Sequence, residues 1–178
     1  DRTVTISGLG KTFSVTGWRI GWAVACERLS LLIRKVHDYV TLCAPAPFQT
    51  AGITALALGE PYFSQLREQY TLARDTFLPG LQGAGFQFVQ PKGAYYVMAD
   101  YSQIRWPLEK YQKAGWSKDR SFAEFLAREV GVAVVPGGSF FVNSSAGENL
   151  VRFNFAKKQS TLEEAVHRLS NLAVYQAA

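Results

Sequence analysis

Cysteine is nearly absent from this chain: Cys26 and Cys43 are the only two in 178 residues, and no C-x-x-C pair occurs. That excludes a disulfide-stapled scaffold and a cysteine-built zinc module, and it fits a reducing, cytoplasmic setting. Histidine is equally scarce. His37 and His167 both sit in helical patterns among charged residues, with no partner at ligand spacing, so they read as helix-surface residues and no metal site is expected. No signal-peptide pattern and no run of 18 apolar residues is present, so no membrane contact is read. Charged residues make up 19%, below the average of about 25%. The net charge of +5 is scattered rather than striped, which argues against a nucleic-acid partner and leaves a mild bias toward small anions.

What is present is apolar and aromatic: 48% hydrophobic and 13% aromatic residues, enough for a substantial core. The most informative stretch is Ser7-Gly8-Leu9-Gly10-Lys11-Thr12-Phe13, continued by Thr16-Gly17-Trp18-Arg19-Ile20-Gly21-Trp22. It places one lysine in a glycine-rich turn after a β-branched run and one arginine eight residues later. That spacing suits a lysine and an arginine presented to one small anionic ligand by two neighbouring strand ends. A phosphate-cradling P-loop would need glycine five positions before Gly10, where Thr5 stands, so it is set aside. A Schiff-base lysine needs a partly desolvated amine or a neighbouring cation, which the apolar and glycine surroundings of Lys11, with Arg19 nearby, would supply. On spacing alone, a surface lysine in a turn fits as well.

Strands are expected at Thr3–Ile6 and Trp18–Cys26, the second apolar enough to be buried on both faces. Helical periodicity covers 27–39, 48–58 and about 60–81, with Gly59 as a stop and Pro61 in a first turn. The period then becomes extended at Phe86–Val89 and Ala94–Asp100, and the Tyr95-Tyr96 pair reads as core. A loop and a short helix fill Ser102–Lys118. An amphipathic helix follows over 119–131, then the run Val132 to Phe141 with its Pro136-Gly137-Gly138 turn. Leu150 to Ala156 alternates, with Val151, Phe153 and Phe155 on one face and Arg152 and Asn154 on the other. An arginine in so apolar a strand is costly unless it meets an anion, and its planar fork suits a carboxylate. A local Asp or Glu, or an exposed sheet edge, would serve it too. The last helix carries Ser160 or Thr161 as its cap.

The run Gly10-Lys11-Thr12-Phe13-Ser14-Val15-Thr16-Gly17-Trp18-Arg19 resembles the cofactor-lysine segment of fold-type I pyridoxal-phosphate aminotransferases, in particular the branch with kynurenine, glutamine and methionine aminotransferases. The segments around Pro136-Gly137-Gly138-Ser139 and Arg152-Phe153-Asn154-Phe155 are similar to that family as well. The resemblance implies that Lys11 carries pyridoxal 5'-phosphate in Schiff-base linkage and acts as the catalytic base. It implies that Arg19 grips the cofactor phosphate, with Ser7 as a further phosphate neighbour, and that Arg152 holds the substrate α-carboxylate. The implied fold is α/β: the end of a large-domain sheet over 1–59, then a linker helix and a small C-terminal domain over 60–178. The implied activity is amino-group transfer between an L-amino acid and a 2-oxo acid, in a homodimer. A β-lyase of the same fold, or a non-enzymatic truncated module that dimerises, are the other readings. The chain opens in mid-strand just before its main motif, and Met98 is its only methionine. It therefore reads as the C-terminal part of a longer protein, with weak cofactor binding and little activity by itself.

Overall fold

Two glycines let the first pair of strands meet. In the computed structural model, which describes residues 2–176, β1 (Thr5–Gly8) runs antiparallel to β2 (Gly21–Val24), with Gly8 opposite Gly21 and Ser7 opposite Trp22. A Cβ on Gly21 would stand 2.7 Å from the Ser7 carbonyl oxygen, so this crossing tolerates no side chain. The chain divides after Ser64 into two compact units, and each has its own organisation.

The first unit joins β1 and β2 through α1 (Leu9–Thr12) and a 3-10 turn at Thr16–Trp18. It continues with α2 (Glu27–Val40), α3 (Ala46–Leu56) and the start of α4 (Gly59–Gly83). Gly59 adopts φ of 71°, the left-handed turn that separates α3 from α4. Leu9 is buried here, its side chain packed over Gly52. Trp18 stacks on Phe48 with ring centres 4.8 Å apart.

The unit departs from the sequence expectation at both strands, and the first, expected at Thr3–Ile6, runs over Thr5–Gly8. The second strand does not lie buried on both faces: it is only four residues long, and Gly21, Ala23 and Val24 are exposed. With two strands in the sheet, the unit has no layer to cover them. The same holds for α2, whose apolar stripe at Leu32, Val36 and Tyr39 forms as the 3.6-residue period dictates. Yet Val36 is 64% exposed and Tyr39 94%.

The second unit holds the core. Its sheet has the order β3-β5-β4, all antiparallel, from β3 (Tyr96–Asp100), β4 (Val135–Pro136) and β5 (Leu150–Asn154). One face of β5 presents Val151 and Phe153, continued by Phe155, all buried, as alternation predicts. Phe153 meets Phe77 from α4 and Phe86 edge-on, at 5.7 and 5.2 Å between ring centres. The helices α5 (Leu108–Tyr111) and α6 (Lys118–Phe125) bring Tyr111, Phe122 and Phe125 into the same core, and α7 (Gln159–Ser170) adds Leu162 and Leu169. A short α8 (Ala173–Gln176) follows. Gly80 of α4 is where α7 comes close, since a Cβ there would lie 2.6 Å from Val166 Cγ1.

Several boundaries shift from those read in sequence. The strand expected at 86–89 reduces to a single bridge in which Gln87 and Asp100 exchange both backbone hydrogen bonds, because Val89 turns to solvent and Pro91 follows. Ala94 takes a left-handed φ of 58°, so β3 starts only at Tyr96. The helix over 119–131 ends in a wide π turn at Leu126–Val130, and Gly131, at φ of 75°, stops it. The cap of α7 is Lys158, not Ser160 or Thr161: the Thr161 and Leu162 N–H groups donate to the Lys158 carbonyl at 3.0 and 3.2 Å.

Candidate active site

Lys11 and Arg19 lie on the connection between β1 and β2. Lys11 falls in the single turn of α1, whose start is fixed by the Leu9 N–H donating to the Ile20 carbonyl at 3.1 Å. Its end is fixed by the Tyr62 hydroxyl, which donates to the Thr12 carbonyl at 2.6 Å, while the Tyr62 ring stacks on Phe13. Arg19 follows the 3-10 turn in the left-handed region, at φ of 56°. A non-glycine residue held there costs on the order of 1–3 kcal/mol, the kind of strain that functional positions retain.

Thr16 ties the two segments together. Its hydroxyl donates to the Gly10 carbonyl at 2.8 Å, and its own carbonyl accepts from Arg19 Nη1 at 3.0 Å. Gly10 permits the approach, since a Cβ there would lie 3.3 Å from Thr16 Cα. Lys11 and Arg19 are both exposed, and among the described residues no carboxylate bonds either of them. Lys11 is exposed, so the desolvation expected from its neighbours is not found. Ser7 lies in β1 itself, exposed, facing Trp22 in the register. Beneath the connection is an apolar hollow of about 290 Å³ lined by Leu9, Phe13, Trp18, Ala55 and Tyr62.

Arg152 belongs to the second unit. It sits mid-strand in β5, between Met98 of β3 and Val135 of β4 in the register. Its guanidinium lies over two aromatic rings, 4.1 Å from the centre of Tyr96 and 4.4 Å from that of Phe140. No carboxylate among the described residues pairs with it. The faces of the fork are thus occupied by π systems, and its N–H edges are left to bind. Arg152 borders a cleft of about 690 Å³ shared with Tyr96, Val134, Asn154, Lys157 and Arg168. Tyr95, whose ring lies 4.5 Å from that of Tyr96, has its hydroxyl pushed up to about 12, first by burial and then by the bond to Tyr96, so it stays protonated at neutral pH.

The chain as a whole has counterparts among known proteins. The family model for aminotransferase class I and II matches residues 1–169. The chain belongs to this family. A kynurenine–oxoglutarate transaminase of Dictyostelium discoideum is 35% identical over 184 residues, which cover 97% of this aminotransferase chain and 42% of the relative. Among solved structures, N-succinyldiaminopimelate aminotransferase from Mycobacterium tuberculosis superposes with a TM-score of 0.84 at 34% identity, again over 97% of this chain and 42% of that one. YbdL from Escherichia coli, with a methionine aminotransferase function, gives 0.82 at 32% identity, over 96% and 42%. The α/β architecture is therefore part of the aminotransferase fold, and the chain spans about two fifths of the length of the relatives it matches.

Some site residues escaped the sequence reading. The role of Thr16 as a bridge was not foreseen, although it stands within the motif. The sequence pattern reads Tyr96 as core together with Tyr95. The two rings stay in contact but play different parts: Tyr95, just before β3, packs against the core, and Tyr96, diagonal to Arg152 through its partner Asn154, covers the arginine. Only the register of β3 on β5 reveals that.

Proposed function

We propose that this chain supplies the cofactor lysine, a phosphate-holding cation and the substrate-carboxylate arginine of an aminotransferase acting on an L-amino acid and a 2-oxo acid. The observation that carries this reading is Arg152, a cation in the middle strand of a sheet, caged between Tyr96 and Phe140 with no carboxylate partner among the described residues. Such a guanidinium has an unmet demand for a planar anion, and an α-carboxylate fits it.

The donor set of the first unit fits pyridoxal phosphate. Lys11 offers an open amine for an aldehyde, and Arg19, with no carboxylate partner among the described residues, offers fixed charge for a phosphate ester. Ser7 on the adjoining strand is a further hydroxyl donor on this side of the family resemblance. The cofactor, when bound, supplies the electron sink that lets an amino acid's Cα give up its proton. Lys11 would anchor it and then carry that proton between carbons as general base and acid. Arg152 would orient the substrate by its carboxylate. The segment from Arg2 to Cys26 contains no Asp or Glu, so it offers no acid for the cofactor's ring nitrogen. The uncovered faces of β2 and α2 support the view that further polypeptide, a second copy included, completes the site.

The expected behaviour of the chain alone is weak cofactor binding and little turnover. Titration of the purified chain with pyridoxal phosphate, followed by absorbance, should give a weak band that Lys11→Ala abolishes. A band that persists in Lys11→Ala would sink the assignment of the lysine. A substrate-dependent release of pyruvate and ammonia, without an amino-acceptor, would favour the β-lyase instead.

A further inference from the structure

Asp119 is the most deeply buried carboxylate described in the second unit, 2% exposed in the first turn of α6. Its Oδ2 accepts from the Gly138 N–H at 2.7 Å, and its Oδ1 has no hydrogen-bond partner among the described residues. A buried carboxylate with one oxygen unsatisfied is a poor choice for stability. What it holds is the 3-10 turn Gly137–Phe140, the turn that lays Phe140 on the guanidinium of Arg152. The opposite side of that turn is clamped by backbone: a Cβ on Gly137 would lie 2.5 Å from the Leu150 carbonyl oxygen and 2.7 Å from that of Gly147. Phe140 itself is 44% exposed, so its own packing does little to fix it. The ring is placed by its backbone, and its backbone is placed by Asp119.

We infer that Asp119 is a positioning residue for anion recognition: through the Gly138 N–H it fixes the turn that presses Phe140 against Arg152, and so sets the orientation in which the arginine meets a carboxylate ligand. This rests on the carboxylate role proposed for Arg152. The requirement is for an acceptor atom at this place rather than for a charge. Asn should therefore serve where Ala does not.

The test uses the full chain and two readouts. The first needs no ligand: the Arg152 Nε–H resonance, whose position should respond to the ring currents of Tyr96 and Phe140. Asp119→Ala should move it most of the way to its position in Phe140→Ala, and Asp119→Asn should leave it near wild type. The second is titration with 2-oxoglutarate, read on the same resonance. Asp119→Ala should weaken binding three- to tenfold in the wild-type background, and less than twofold when Phe140 is already Ala. Asp119→Asn should restore affinity to within twofold. Gly138→Ala presses on the same contact from the other side, since its Cβ would meet Asp119 Oδ2 at 3.0 Å, and it should mimic Asp119→Ala if that variant does not fold. An unchanged resonance in Asp119→Ala, or an equal loss of affinity with and without Phe140, overturns the inference. If wild type binds no 2-oxo acid while the resonance still follows Asp119, the carboxylate reading fails and the positioning contact stands.

Discussion

The guanidinium of Arg152 and the ring of Tyr96 face each other at 4.1 Å, although the two residues are diagonal rather than opposite in the pairing of β3 with β5. Phe140 closes the other side at 4.4 Å. A cation stacked in this way loses part of its hydration yet keeps its in-plane N–H groups free. Arg152→Lys keeps the charge and loses both the stack and the bidentate edge. It should therefore weaken carboxylate binding by about tenfold or more, as the loss of about 1.5–3 kcal/mol in charged hydrogen bonding requires. Tyr96→Leu should cost less, about 0.5–2 kcal/mol, because only the cation–π share goes. Titration with a 2-oxo acid orders the two variants. Equal affinities for Arg152→Lys and wild type would show that the arginine is not the carboxylate ligand.

Thr16 offers a separate check on the first unit. Thr16→Val preserves shape and removes the hydroxyl that donates to the Gly10 carbonyl. The carbonyl is exposed, so water replaces the bond and the stability cost should stay near 1 kcal/mol. The consequence for ligand binding should be larger than for stability, since Lys11 and Arg19 are held in one arrangement through Thr16. Pyridoxal-phosphate titration of Thr16→Val should show several-fold weaker binding at a melting temperature within a few degrees of wild type. A variant that binds as wild type does would remove Thr16 from the site.

Much of this was legible from residue pattern, and the exceptions share a cause. The face of α4 that enters the core, with Ala73, Phe77 and Leu81, follows from helical spacing, as do Phe122 and Phe125 on α6 and Leu126 in the π turn after it. The alternation of β5 indicates both its buried face and the opposite, half-buried side that carries Arg152. What periodicity cannot show is which strand neighbours which. The partnership of Arg152 with Tyr96 depends on register across segments more than fifty residues apart, that with Phe140 on a turn twelve residues upstream, and the role of Asp119 on a backbone N–H with no sequence signature. The burial expected of Trp18–Cys26 failed for a different reason: a local pattern reports what a strand is suited to, while its covering layer must come from elsewhere.

Gly80 sets two known effects against each other. In a helix interior Gly→Ala gains up to about 1 kcal/mol from propensity. Here a Cβ would come within 2.6 Å of Val166 Cγ1, and overpacking of that kind costs about 1–3 kcal/mol. The clash should win, so Gly80→Ala should lower the urea midpoint. In a Val166→Ala background the obstruction is gone, and the same substitution should become neutral or stabilising. A sign that does not reverse between backgrounds would mean that α4 and α7 do not meet at this glycine.

Alkaline pH should expose the buried phenol of Tyr101. The ring is fully enclosed and stacked on Phe122 at 3.8 Å, and its hydroxyl donates to the Glu148 carbonyl at 2.6 Å. Burial above all, then the charge of Asp119, raises its ionisation well beyond that of a free tyrosine. The sign follows from the protonated form being the one that folds. Below the unfolded value of about 10 both states keep the proton, and the stabilisation is complete. Above it the unfolded chain gives up a proton that the folded chain retains, so stability should fall by up to about 1.4 kcal/mol per pH unit for this one group. Tyr101→Phe cannot ionise. It loses a hydrogen bond and should start less stable near neutrality, yet its urea midpoint should decline less steeply than that of wild type between pH 10 and 11. Parallel declines would show that Tyr101 ionises no differently in the folded protein than in the unfolded one.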